Sequence, residues 1–270
     1  MTDKAVILAR GLGTRMRKQD EGTALSEAQA AVAETGVKAL VPIDRPFLDY
    51  VLHALAEAGY RRICLVIGPE HDNLRSYYGQ ELQYTRLEVS FAVQQEPLGT
   101  ANAVAAARSF AGDDRFLMIN SDNYYPVEAM AGLRPLAGPG LAVFERDSML
   151  ASSNIPAERI TRFAVVEVDG DGHLQRIVEK PSPEFIASLP EPVGISMNCW
   201  LFDAGIFGAC DAIKPSARGE YEITDAVQYA IDEMAQTFTV LPYCAAVLDL
   251  TSRADVGGVA ERLAGTPVHL

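Results

Sequence analysis

Between Val6 and Lys18 the chain reads VILARGLGTRMRK. An apolar run of strand character breaks into Gly11 and Gly13, and Arg15, Arg17 and Lys18 follow within four residues. Glycines after a strand let the backbone come close to a ligand and turn its N–H groups toward an anion. Arg15 adds a guanidinium fork suited to phosphate oxygens. The spacing is not that of a P-loop, since no Gly-Lys-Ser/Thr follows, and Met16 stands where a dinucleotide fingerprint needs its third glycine. An ordinary tight turn is the plain alternative, and the three clustered cations favour phosphate.

The rest of the chain must supply a scaffold for that turn. At 270 residues it can bury a full core without disulfides or a structural metal. Cys64, Cys199, Cys210 and Cys244 are scattered singly, with no zinc-ligand spacing, and read as small core residues in a reducing compartment. The N-terminal apolar run is too short for a signal peptide, and no segment approaches the roughly 18 apolar residues of a membrane span, so a cytoplasmic protein with no membrane partner is expected. A formal charge of −13 leaves no broad basic face for nucleic acid. An anionic ligand would be held by local cations and backbone amides.

Strand-like runs alternate with amphipathic stretches: AVILA, the helical FLDYVLHALAEAGY, RRICLVIG, the helical HDNLRSYYGQ, LEVSFAVQ, the small-residue helix GTANAVAAARSFAG and RFLMINSD. This alternation predicts a mainly parallel, doubly wound sheet that binds ligands at its carboxyl edge. FAVVEVDGDGHLQRIVEKP predicts an antiparallel hairpin. ISMNCWLF, FTVLPYC and AAVLDL predict further strands, EYEITDAVQYAIDEMA a helix, and a last helix starts near Ala254. One continuous domain over 1–270 is the reading, with a substrate lobe over 146–248 as a variant. In TALSEAQAAVAETG, Leu25, Ala28 and Val32 lie at helical spacing between a Ser26 cap and a Gly36 stop. The 18–37 segment is therefore expected to carry a short lid helix, or else a decorative surface insertion.

Beside the opening turn, GVKALVPIDRPFLDY, QQEPLGTANAV, MINSDN, VEKP, PSARGEYEITDAV and VLDLTS follow in an order that resembles the sugar-1-phosphate nucleotidyltransferases. Those enzymes join an NTP to a sugar 1-phosphate and release pyrophosphate, and the resemblance runs from about Lys4 to Asp255. It implies a single Rossmann-like three-layer α/β domain of the nucleotide-diphospho-sugar transferase type. The sheet would be mostly parallel and mixed, with the hairpin as an added layer.

The resemblance also implies roles. Leu8, Ala9, Gly11, Gly13 and Thr14 would line the nucleotide, Arg15 would be the catalytic cation on the triphosphate, and Lys38 would be a second. Gln94 would hydrogen-bond the base, Gly99 would present backbone to it, and Thr100 would stand at the next helix start, where it could also cap. Asp122 and Asp249 would hold Mg²⁺. Glu179 would take a sugar hydroxyl, Lys180 and Arg218 the sugar phosphate, and Asn198 further hydroxyls. Glu220, Glu222 and Asp225 read only as an acidic helix start.

Some positions depart from the family pattern. Arg10 stands where Gly or Ala is usual, so a bulky cation points toward the phosphate loop or is deflected from it. Ser121 and Ala164 replace glycines, and VLDLTS lacks the usual Trp and Gly. A metal-dependent glycosyltransferase of related fold and a non-catalytic sugar-nucleotide-binding paralogue are the rival expectations. The base, the sugar and any homo-oligomer stay open.

Overall fold

The run KAVIL has apolar residues on both faces of a strand, which suits only a strand covered on both sides. In the computed structural model, which describes residues 1–18 and 25–270, this is β1 (Lys4–Leu8), with Ala5, Val6 and Ile7 fully buried. Parallel β2 (Arg62–Ile67) lies on one side of it and β3 (Glu88–Val93) continues parallel beyond. On the other side β4 (Phe116–Asn120) is also parallel. The short β5 (Asn123–Tyr124) follows β4, and β6 (Gly140–Glu145), β7 (Ala164–Val168), β8 (Leu174–Val178), β9 (Gly194–Phe202), β10 (Thr239–Tyr243) and β11 (Leu248–Asp249) complete the set.

The main sheet has the order β10-β6-β9-β4-β1-β2-β3. Only β9 runs antiparallel along this path, between β4 and β6. The predicted hairpin is β7–β8, and it joins the sheet through β9. The 146–248 segment therefore supplies strands to the same sheet as the N-terminal half. Separately, β5 and β11 pair antiparallel and place Asp249 opposite Asn123.

Successive residues of β1 point to opposite faces. Ile7 packs with Leu65 and the buried face of the helix Phe47–Glu57, while Val6 packs with Cys64, Met118 and the helices Thr100–Ala106 and Ile223–Met234. Ala101 and Ala103 keep the Thr100–Ala106 helix close to the sheet. Beneath the Phe47–Glu57 helix, the fully buried Asp49 carboxylate accepts from Arg45 Nε (3.0 Å), Tyr78 Oη (3.0 Å) and Tyr77 Oη (3.2 Å). Burial nonetheless raises its pKa above the ordinary carboxylate range. Asp49→Ala would take the acceptor from the partly exposed Arg45 guanidinium and from two tyrosine hydroxyls, that of Tyr78 buried. It is expected to cost on the order of 3 kcal/mol, read as a melting temperature lower by roughly 5–10 °C.

Three local readings need correction. Cys244 is exposed, whereas the other three cysteines are buried. Thr100 is the first residue of its helix and does not cap it; Gly99 takes the cap position without a side-chain bond. In the helix Glu27–Thr35 the buried small residue is Ala33, and Ala28 faces solvent. The predicted ends of that helix hold: Ser26 and Gln29 form a capping box and Gly36 closes it at φ 77.

Candidate active site

The chain leaves β1 at Leu8, and Ala9 extends the ladder once more by donating to the Val66 carbonyl (2.8 Å). The glycine turn then needs glycine at one point above all. Gly13 sits at φ 60, and a Cβ there would lie 2.1 Å from the Gly36 carbonyl oxygen. The turn and the end of the Glu27–Thr35 helix thus meet backbone to backbone. The four-residue helix α1 (Thr14–Arg17) starts immediately after, with Thr14 and Arg15 exposed. Two arginines fasten it. Arg17 donates from Nη2 and Nε to the Thr35 carbonyl (2.8 and 3.1 Å), and Arg253 Nε donates to the Met16 carbonyl (3.0 Å). Arg253 satisfies a carbonyl that a helix end leaves without an internal partner.

Beyond β2 and β3, Gln94 is buried at 4% exposure. Its side-chain amide nitrogen donates to the Gly99 carbonyl (3.0 Å) and to Asn102 Oδ1 (2.9 Å). A backbone carbonyl only accepts, so the amide orientation is fixed. Gly99, at φ 117, has room for no side chain, since a Cβ would lie 2.5 Å from the Tyr221 carbonyl oxygen. This close approach zips 98–101 to 221–223: Tyr221 donates to Leu98, Ala101 to Tyr221, and the Ile223 N–H to the Thr100 hydroxyl (2.8 Å).

At the end of β4 the Asp122 carboxylate accepts from Lys38 Nζ at 2.6 Å. Across the β5–β11 pair lies Asp249, whose side chain is 5% exposed. Its Oδ1 accepts from Asn123 Nδ2 (3.1 Å) and Thr251 Oγ1 (3.0 Å). Its Oδ2 is buried, 3.0 Å from Arg159 Nη2 but out of line for a hydrogen bond. Burial first, and repulsion from Asp122 second, push the Asp249 carboxyl up to about 7. Arg159 pulls the other way, but its charge is shared with the two hydrogen bonds it makes to Asp255 (2.9 and 3.1 Å).

The far wall comes from the second half of the chain. The β6–β9 register shifts between Ala142 and Val143, so that Met197 and Asn198 have no partner on β6. Asn198 takes φ 58 there. A bulge of this kind re-aims a side chain out of the sheet. Glu179 ends the hairpin and accepts from the Thr224 hydroxyl (3.3 Å). It is open to the cleft, yet burial and the neighbouring Glu222 raise its pKa. Arg218 is paired with the buried Glu222. Lys180 follows Glu179 at φ 46 and is exposed.

These walls enclose a cavity of about 550 Å³. Of the residues to which the sequence resemblance gives a site role, all but Lys180 and Asp249 line it. Asp249 reaches its edge through Thr251, which lines the cavity and donates to the Asp249 carboxylate. A model of the nucleotidyl transferase family matches residues 4–245. The chain belongs to that family.

Among its relatives, a glucose-1-phosphate thymidylyltransferase of Streptomyces griseus is 34% identical over 231 residues, covering 85% of this chain and 57% of that protein. A low-salt glycan biosynthesis nucleotidyltransferase of Haloferax volcanii is 30% identical over 242 residues, covering 85% and 59%. The chain thus spans less than two thirds of the length of either. The UTP-bound UGPase from Acinetobacter baumannii superposes with a TM-score of 0.74 at 20% identity, over 99% of this chain and 96% of that one. That likeness establishes the fold.

Among the lining residues of this nucleotidyl transferase to which the sequence reading gave no site role are Asn120, Pro97, Glu222 and Thr251. Asn120 and Pro97 flank residues that were singled out, and their polarity and position carried no separate signal. Glu222 read as a helix start because only tertiary structure brings it to Arg218. Gly11 lines the cavity, and nothing inside the protein demands glycine there: a Cβ would meet nothing within 4 Å.

Among the described residues no group of three or more His, Cys, Asp or Glu side chains could hold a metal ion. The residues do fit a divalent cation that draws its remaining ligands from phosphate and water. Asp249 Oδ2 has no oriented donor, and the Asp122–Asp249 repulsion is what a cation would relieve.

Proposed function

We propose that the chain transfers a nucleotidyl group from an NTP to a sugar 1-phosphate, giving an NDP-sugar and pyrophosphate. The observation that carries this reading is the two-sided cavity. One side gathers the glycine turn, Arg15, Lys38 and Asp122, and the other gathers Glu179, Asn198 and Arg218. A sugar-phosphate oxygen attacks the α-phosphorus, the bond from that phosphorus to the bridging oxygen breaks, and pyrophosphate leaves with the electron pair. The nucleophile is already an anion, so no side chain needs to take a proton. The protein's task is to bring two mutually repelling phosphates together and neutralise them.

Arg15 and Lys38 would face the NTP phosphates. Arg218 would leave Glu222 in part to meet the sugar phosphate, with Lys180 reaching it from the mouth, and Glu179 and Asn198 would orient the sugar hydroxyls. Leu8, Ala9, Gly11, Gly13, Thr14, Gly99 and Thr100 would shape the nucleotide end, and the Glu27–Thr35 helix would cover the triphosphate from the side of Gly13. Asp122 and Asp249 would hold Mg²⁺, which supplies Lewis-acid charge neutralisation at the α-phosphate.

Gln94 bears on the base. Both its donors are taken by Gly99 and Asn102, which leaves Oε1 as an acceptor. An acceptor matches the imino N–H of uracil, thymine or guanine; adenine and cytosine carry an unprotonated ring nitrogen at that position and donate only from an exocyclic amino group elsewhere on the edge. A pyrophosphate-release screen of NTPs against hexose 1-phosphates is therefore expected to show turnover with UTP, dTTP or GTP and discrimination of about ten-fold or more against ATP and CTP. No pyrophosphate from any pairing would refute the transfer reaction, and a preference for ATP would refute the role of Gln94.

A further inference from the structure

The structure assigns Arg10 to the nucleotide: we propose that its guanidinium donates to the phosphate chain of the bound NTP. This rests on the nucleotidyl-transfer reading above and adds a contact residue to it.

The side chain of Arg10 is only 7% exposed, yet it lines the cavity between the tips of β1 and β2. Its hydrogen bonding is incomplete. Nε and Nη2 reach the Glu70 carboxylate at 3.3 and 3.4 Å, the long end of the range, and Glu70 itself is half exposed. Nη1 is buried and has no hydrogen-bond partner among the described residues. Leaving a buried donor on a charged group unpaired is costly, so such a donor points to a partner that arrives later.

The surroundings say what kind of partner. The nitrogen belongs to a group that is always charged and donates in a planar fork, which suits phosphate oxygens. Arg10 directly precedes Gly11, the turn residue whose missing Cβ opens onto empty space, and Arg15 and Lys38 line the same cavity. The cavity is lined by four cations and four carboxylates. On the glycine-turn side, however, Arg10, Arg15 and Lys38 face only Asp122 among the described lining residues, a local excess of positive charge that marks the place of a polyanion.

The test is calorimetric titration of wild type and Arg10→Ala with UTP, UDP and uridine, substituting dTTP or GTP and its matching forms where the release screen selects them. Arg10→Ala is expected to weaken triphosphate binding about ten-fold or more, the loss of a charge-assisted bond. It should weaken diphosphate binding less and leave nucleoside binding unchanged. The KM for sugar 1-phosphate at saturating NTP should not move. Wild-type affinity for the triphosphate in Arg10→Ala, or a loss as large for the nucleoside, overturns the assignment. Failure of the wild type to release pyrophosphate would instead strike the parent reading. Should Arg10→Ala fail to fold, Arg10→Lys carries the same readout, with an expected smaller loss confined again to the phosphorylated ligands.

Discussion

Asp122→Ala is expected to lower kcat by about 10²-fold or more, in line with other losses of transition-state charge stabilisation. Asp122 stands at the end of β4, where it meets both Lys38, at 2.6 Å, and the field of Asp249. Truncation would free the lysine from the only carboxylate with which it forms an ion pair among the described residues and remove one of two carboxylates proposed to share Mg²⁺. Asp122→Asn keeps the shape and should be nearly as impaired, because a neutral amide neither pairs with Lys38 nor balances a divalent cation. Pyrophosphate release at saturating substrates measures the effect. Full activity in either variant would remove Asp122 from the mechanism.

Arg15→Ala is expected to cost a comparable factor, about 10²-fold in kcat, while the melting temperature stays within about 2 °C of wild type, as for surface substitutions away from packed features. The reasoning lies in how α1 is held. Arg17 and Arg253 fasten the helix through backbone carbonyls, and Met16 packs into the core, so Arg15 is spared structural duty and remains exposed at the cavity. Arg15→Lys should recover only part of the rate, since a point charge replaces a two-pronged donor. A variant that unfolds, or one that works at the wild-type rate, contradicts this division of labour.

Much of this architecture could be read in the residues because local and tertiary demands agree. β1, β2 and β4 are continuous apolar runs that only a covered parallel sheet accepts, and the Glu27–Thr35 helix carries its own start and stop in Ser26 and Gly36. What was missed depends on distant partners. β6 (GLAVFE) is as apolar as β1 but went unread between glycines and a charged helix, and its place beside β9 is a long-range pairing. The helix Val127–Leu133 buries Ala129, Met130 and Leu133, too short an apolar face for periodicity to reveal. Thr100 looked like a cap because Ile223, whose N–H claims its hydroxyl at the start of the Ile223–Met234 helix, lies over a hundred residues away. At the site, the engagements of the named residues were not legible, Lys38 with Asp122 and Arg218 with Glu222, and Arg159, which stands against Asp249, carried no signal of its own.

The bond from Arg253 to Met16 joins segments 237 positions apart. During synthesis the Thr14–Arg17 helix must wait for residue 253 before its end is fastened. A nascent chain can assemble β1 to β4 early and still have an unfinished phosphate grip. Truncation before residue 253 is expected to leave the Thr14–Arg17 helix without this fastening.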